Sequence, residues 1–167
     1  MYKKLILHDL PPEKLLRLLP DGAEGYTIFP AYPAVQHCFG CFGCWLKTPG
    51  ECVIDDRCKG LASMISKHEE FVLISRIVFG GFSPDVKAAV DRCIGYIMPF
   101  FRIVGGEMHH TLRYEHKFSL RYVFYGQKTS AAEQETARKL VAANALNLGA
   151  ENYFINFYQS PDEIEAV

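Results

Sequence analysis

The chain predicts an α/β domain, a parallel sheet of five strands between two layers of helices. Three observations carry this. Short apolar runs of strand length alternate with segments of helical period along the chain. One run, FVLISRIVF (71–79), is apolar almost throughout, as a strand buried on both faces must be. Prolines and N-cap residues open the helical segments shortly after the strand-like ones. With 167 residues, 49% of them apolar, the chain has the size of one domain and a core that needs no disulfides. A single domain over 1–167 is the expectation.

KKLILHD (3–9) is the first strand. PPEKLLRLLP (11–20) opens on proline and carries leucines at helical spacing. GYTIFPA (25–31), aromatic and β-branched, is the second strand. A loop rich in Cys, Gly and Pro (37–54) is inserted after it. DDRCKGLASMISKHEE (55–70) predicts a helix with aspartates at its start, and 71–79 is the third strand. SPDVKAAVDRCIGYIM (83–98) predicts a helix with Ser83 as N-cap and Pro84 at its first position. Residues 99–117 fit neither period and read as a long loop. FSLRYVFYG (118–126) is the fourth strand, TSAAEQETARKLVAANALNLGA (129–150) a long helix ending near Gly149, and ENYFINFY (151–158) the last strand. SPDEIEAV is a short acidic tail. Five strands and about four helices in this alternation fit a flavodoxin-like three-layer sandwich of strand order 2-1-3-4-5. Ligands then bind at the carboxyl ends of the strands, beside strands 1 and 3.

The formal net charge is −1 and no basic stripe occurs, which excludes nucleic acid as the main partner. The apolar run LIL is too short for the core of a secretory leader. IGYIMPFF is broken by Pro99 and Arg102, so nothing approaches the roughly 20 apolar residues of a membrane helix. A cytoplasmic protein is expected, with its six cysteines reduced, metal-bound or redox-active rather than bridged.

Four of those cysteines, Cys38, Cys41, Cys44 and Cys52, fall in CFGCFGCWLKTPGEC. Three thiolates at this close spacing with a fourth farther on suit an iron–sulfur cube. Four thiolates also suit zinc, although zinc sites more often come as two separated pairs. The third reading leaves the thiols free or reversibly oxidised, in a loop packed through Phe39, Phe42 and Trp45. All three stay open at this point. Cys58 and Cys93 read as buried helix residues.

CFGCFGCWLKTPGECVIDD (38–56) and FVLISRIVFGGFSPDVKAAVDR (71–92) together resemble the NADPH-dependent FMN reductase-like proteins of the flavodoxin superfamily, including the iron–sulfur flavoproteins. The resemblance implies FMN as cofactor, NAD(P)H as electron donor, a small-molecule or protein redox partner and a homodimer. It implies a 4Fe–4S cluster as a second group, on the four cysteines of the loop. It assigns flavin recognition to Arg76, Val78, Phe79, Gly80, Gly81, Phe82 and Ser83, with the N–H groups of Gly80 and Gly81 facing the ring and Phe79 or Phe82 packed on it. His109, or its neighbour His110, and Tyr125 are further candidates at the flavin, since the long loop is expected at that end of the sheet. The family's phosphate loop after strand 1 is rich in Ser, Thr and Gly. Here it reads His8-Asp9-Leu10-Pro11-Pro12-Glu13-Lys14. Two prolines delete two N–H donors, and Asp9 and Glu13 bring like charge; Lys14 is the favourable side chain. The function expected is therefore an FMN-dependent oxidoreductase. The alternative is a degenerate member without tight flavin binding, acting through its cysteine loop as a redox sensor or partner-binding module.

Overall fold

In the computed structural model, which describes residues 3–20 and 22–167, the strands are β1 (Lys4–His8), β2 (Tyr26–Pro30), β3 (Glu70–Arg76), β4 (Ile97–Val104), β5 (Glu107–Leu112), β6 (Ser119–Tyr125) and β7 (Asn152–Tyr158). The helices are α1 (Pro12–Leu16), α2 (Gly43–Leu46), α3 (Leu61–Ile65), α4 (Pro84–Asp91) and α5 (Ala131–Leu148). Leu5, Ile6 and Leu7 are fully buried, so β1 lies inside a sheet covered on both faces. It pairs in parallel with β2 and β3; β3 pairs with β6 and β6 with β7. The order β2-β1-β3-β6-β7 is the predicted 2-1-3-4-5 once the β4–β5 pair is set aside.

Period-two alternation divides the core. Leu5, Leu7, Phe71, Leu73, Leu120, Tyr122 and Phe124 pack beneath α3, α4 and α5. Ile6, Val72, Ile74 and Val123 face α1 and the C-terminal segment, where Ile164 and Val167 are buried. The acidic tail is thus part of the second layer, with Val167 N–H donating to the Leu18 carbonyl. Each such aliphatic side chain contributes roughly 1.5–3 kcal/mol by leaving water.

Three expectations are corrected. The helix expected over 55–70 covers only α3, because Asp56 turns its carboxylate onto Cys58 N–H and Arg92 instead of capping a helix. The helix expected over 83–98 stops at Asp91, continues as a 3-10 turn (Arg92–Tyr96) and gives way to β4. Residues 99–117 are not a long loop: most of them form the antiparallel hairpin β4–β5. Gly105 and Gly106, at φ +60° and +88°, supply the two left-handed positions that a tight hairpin turn requires.

Candidate functional site

α4 leaves the carboxyl end of β3 and runs back along the sheet, so the 3-10 turn and the hairpin lie at the opposite end, where β6 begins. The hairpin bonds to the last turn of α5: Arg102 Nη2 donates to Leu146 O (3.4 Å), and His109 Nδ1 lies 2.9 Å from Asn147 Oδ1. His109 is therefore at the amino edge of the sheet, not at the flavin end where the loop reading placed it. His110 stacks on Phe101 and lies tilted against Trp45 at that edge, with ring centroids 4.8 and 5.0 Å away.

The carboxyl edge carries the other candidates. After β3 the chain makes a tight turn in which Val78 and Gly81 exchange both backbone hydrogen bonds, at 3.0 and 2.9 Å. Phe79 and Gly80 take positive φ, +50° and +78°. The Gly80 position admits no side chain: a Cβ there would stand 2.7 Å from Thr136 Cβ and 2.8 Å from Glu133 O, because the turn rests on the first turns of α5. Two sequence assignments fail here. The Gly81 N–H is spent on Val78 O, so it does not face a ring. Phe82 is buried and stacked on Phe124 and Tyr122 at 5.5 and 6.0 Å, so it belongs to the core. Of the two phenylalanines in this turn, Phe79, 90% exposed, is the one presented to solvent. Ser83 is an anchor for the turn: its N–H donates to Ser75 Oγ (2.9 Å), and its own Oγ accepts from Val86 N–H (3.4 Å) at the start of α4.

Between β1 and β3 stands Asp9. Its carboxylate accepts from Arg76 N–H (3.0 Å) and from the Tyr125 hydroxyl (2.9 Å). Burial and the Asp9 charge push the Tyr125 phenol up, so it stays protonated and donates. Beside it His8 is 1% exposed, with no hydrogen-bond partner at either ring nitrogen among the described residues. Desolvation lowers its pKa, against the weaker pull of Asp9 and the Leu10 backbone, so the imidazole is neutral. Lys14 points away from this cluster and pairs with Asp162 in the C-terminal segment. A polar cavity of roughly 200 Å³ opens farther along the same edge, over Gly126, Lys128, Thr129, Gln134 and Gln159. Sequence reasoning missed Asp9 as a member of the constellation, since its partners are 67 and 116 residues away.

The cysteine segment forms a separate region. Cys38, Cys41, Cys44 and Cys52 line one apolar cavity together with Arg92 and Ile94. The first two thiols are exposed and the other two buried, and none is bridged. Burial, and then the neighbouring Cys52, Cys38 and Cys41, push the Cys44 thiol up, which is the electrostatic mark of four sulfurs around one space. Among the described residues no three His, Cys, Asp or Glu side chains approach closely enough to chelate one metal ion. The fully buried Arg92 guanidinium organises this region. It grips the Asp56 carboxylate with two bonds of 2.7 Å, donates to Gln36 O and Ile54 O at 3.1 and 3.2 Å, and directs its Nε–H to Cys52 Sγ at 3.2 Å. Gly95 lies against Cys44 and Gly50, and Trp45 Nε1–H donates to Ile97 O (2.9 Å). These contacts seat the cysteine segment on the 3-10 turn and the base of the hairpin. Among the described residues no hydrogen bond, ion pair or ring contact joins it to 76–83. Cys58 and Cys93 are buried as expected; desolvation raises the Cys58 thiol to about 12 and Cys93 well above its ordinary value.

No family model and no curated sequence matches the chain. Solved structures do. An FMN-dependent NADH-azoreductase from Bacillus anthracis, solved with FMN, superposes at TM-score 0.54 and 15% identity, over 94% of this chain and 86% of that one. An NAD(P)H:quinone oxidoreductase from Methanothermobacter marburgensis gives 0.58 at 11%, again over 94% and 86%. Smu.1420 from Streptococcus mutans gives 0.58 at 12%, over 98% and 90%. These likenesses show a flavodoxin-like fold across the chain.

Proposed function

We propose that the chain is a flavin-dependent oxidoreductase, with NAD(P)H as donor, whose ring site is the turn after β3. One observation carries the reading. At the carboxyl end of a central strand, beside the topological switch between β1 and β3, the chain fixes a solvent-facing aromatic, Phe79, on a rigid positive-φ turn. Structural neighbours that use FMN or act on quinones through nicotinamides support the same chemistry.

The residues fit the two halves of FMN unequally. The ring half has one fitting feature, the exposed face of Phe79; the glycine at 80 serves the turn's packing on Thr136 and Glu133 of α5. The phosphate half does not fit the loop after β1, where Pro11 and Pro12 lack N–H groups and Asp9 holds the available donors. A bound flavin supplies hydride acceptance from a nicotinamide; the protein contributes position and exclusion of water. Titration of the purified protein with flavin tests the reading. Quenching of flavin fluorescence that is lost in Gly80→Val is expected, and protein that leaves flavin fluorescence unchanged at saturating concentration overturns it.

A second reading concerns the cysteine pocket, and a specific observation favours it: four cysteines line one cavity. A 4Fe–4S cube binds each thiolate at its own iron and tolerates a wider spread than the roughly 2.3 Å zinc–sulfur shell. Anaerobic reconstitution should give four irons per chain in wild type and in Cys58→Ser, and fewer in Cys41→Ser. The hairpin's exposed Phe101, Ile103 and Met108 support association with a second copy, and six free cysteines support a reducing compartment such as the cytoplasm.

A further inference from the structure

The carboxylate of Asp9 stands where a flavodoxin-like fold offers its first loop to a ligand anion, and it already uses the donors there. Arg76 N–H is the backbone donor at the end of β3, and the Tyr125 hydroxyl is the side-chain donor at the end of β6; both point at Asp9. The Asp9 N–H itself donates to Ile74 O (3.3 Å). Pro11 and Pro12 have no N–H, and α1, with five residues, brings only a short dipole. Glu13 adds a second negative charge within the same turn.

Two of the nearby cations that would offset this charge are engaged. Lys14 is paired with Asp162, and so is Arg17, at 3.0 Å. His8, the nearest unsatisfied polar side chain, is buried and neutral. The Arg76 guanidinium is exposed, so its attraction for an anion is screened by water, whereas the half-buried Asp9 carboxylate is fixed by two hydrogen bonds. A phosphate entering this loop would meet a fixed like charge, with the Arg76 N–H and the Tyr125 hydroxyl already turned onto it. A neutral polyol tail would meet neither penalty, because hydroxyls donate to a carboxylate as readily as they accept.

We infer that Asp9 is a specificity residue that excludes a terminal phosphate, so that the site takes the neutral flavin class, an isoalloxazine with an unphosphorylated polyol tail, in preference to the mononucleotide. The selection works by repulsion as much as by attraction: the carboxylate supplies an acceptor for hydroxyls and a barrier to a dianion. This inference rests on the flavin reading of the Phe79–Ser83 turn and specifies which flavin that turn serves. Asp9 is not required for the fold's sheet, since β1 ends at His8 and its ladder with β2 and β3 is complete without it.

The test is a pair of titrations on the full chain, riboflavin and FMN, each followed by flavin fluorescence at low and at high salt. In wild type, riboflavin should bind at least fivefold tighter than FMN. FMN affinity should rise with salt as the repulsion is screened, while riboflavin affinity stays flat. Asp9→Asn keeps the acceptor for Arg76 N–H and Tyr125 and removes the charge; it should tighten FMN about tenfold and change riboflavin less than twofold. The salt series needs no variant and decides the matter if Asp9→Asn fails to fold. FMN binding tighter than riboflavin in wild type, or weakening with salt, overturns the inference and leaves the flavin reading standing. No binding of either flavin overturns both.

Discussion

The carboxyl edge of the sheet and the cysteine segment are held together by different forces, and they fail differently. The edge is the end of a regular ladder. Its residues are placed by strand pairing over Leu5, Leu7, Leu73 and Phe124, and its polar groups are details on that frame. The cysteine segment has one four-residue helix, and its shape comes from a few long side chains reaching backbone carbonyls. Arg57 donates to Pro30 O, Ala31 O and Pro33 O, while Arg92 donates to Gln36 O, Ile54 O, Asp56 and Cys52. A buried guanidinium with five donors can satisfy a non-repeating backbone that no ladder reaches. The lesson is that two cations, Arg92 above all, carry the second region, whereas no single residue carries the first.

The largest effect should therefore come from Arg92→Leu. It leaves the Asp56 carboxylate and two carbonyls without their donor, which costs about 3–5 kcal/mol in a buried setting. Urea unfolding should show that loss, and alkylation of Cys44 under native conditions should accelerate at least tenfold. Retention of full stability would mean that the segment is held by its own packing and that the contrast between the regions is false. On the other side, Gly80→Ala breaks the turn at the carboxyl edge. Positive φ and the approach of Thr136 together cost about 2 kcal/mol. Flavin binding should fall with it, while Cys44 alkylation stays at the wild-type rate.

These two regions were also unequally legible. The sheet could be read because each strand carries its own apolar pattern, and FVLISRIVF carries it most plainly. The hairpin was missed although VGGE between apolar flanks is a two-residue turn signal. The doublets Phe100-Phe101 and His109-His110 hide the alternation, and the pairing shifts register between Ile97 and Phe101. In FGGFS the sequence names two phenylalanines and cannot say which one faces out; the positive φ of Phe79 and Gly80 decides it. Arg92 and Asp56 are 36 residues apart and Asp9 and Tyr125 are 116 apart, so no local pattern pairs them. The cysteine spacing was readable as a pattern, but its place at the end of the sheet opposite the turn after β3 depends on how far α4 and its 3-10 turn run before the chain reverses.

Acid should separate the regions at a smaller scale. Arg92 holds the Asp56 carboxyl at about 2, first through its hydrogen bonds and then with help from Cys58 and Gln36 N–H groups. The folded value lies below the unfolded one, so this stabilisation is complete above about pH 4 and is lost as pH falls through 2. With a fifth of the Asp56 side chain in water, about 1–2 kcal/mol is involved. Between pH 5 and 2, Asp56→Asn should lose that much less stability than wild type in urea titrations. Equal losses would show that the pair does not couple folding to protonation.

The smallest effect concerns the frame of the turn after β3. Ser83→Ala removes the acceptor for Val86 N–H at the start of α4, worth about 1 kcal/mol. Its backbone N–H still donates to Ser75 Oγ, so the turn keeps one of its two anchors. If that remaining bond fixes Phe79, the variant should lose this modest stability in thermal unfolding and bind flavin within twofold of wild type. Ser75→Ala should then do the reverse, with a larger loss of flavin binding, because it leaves a buried N–H unpaired under the turn itself. Equal flavin binding in both variants would show that strand pairing alone positions Phe79, and the carboxyl edge would owe its shape entirely to the ladder.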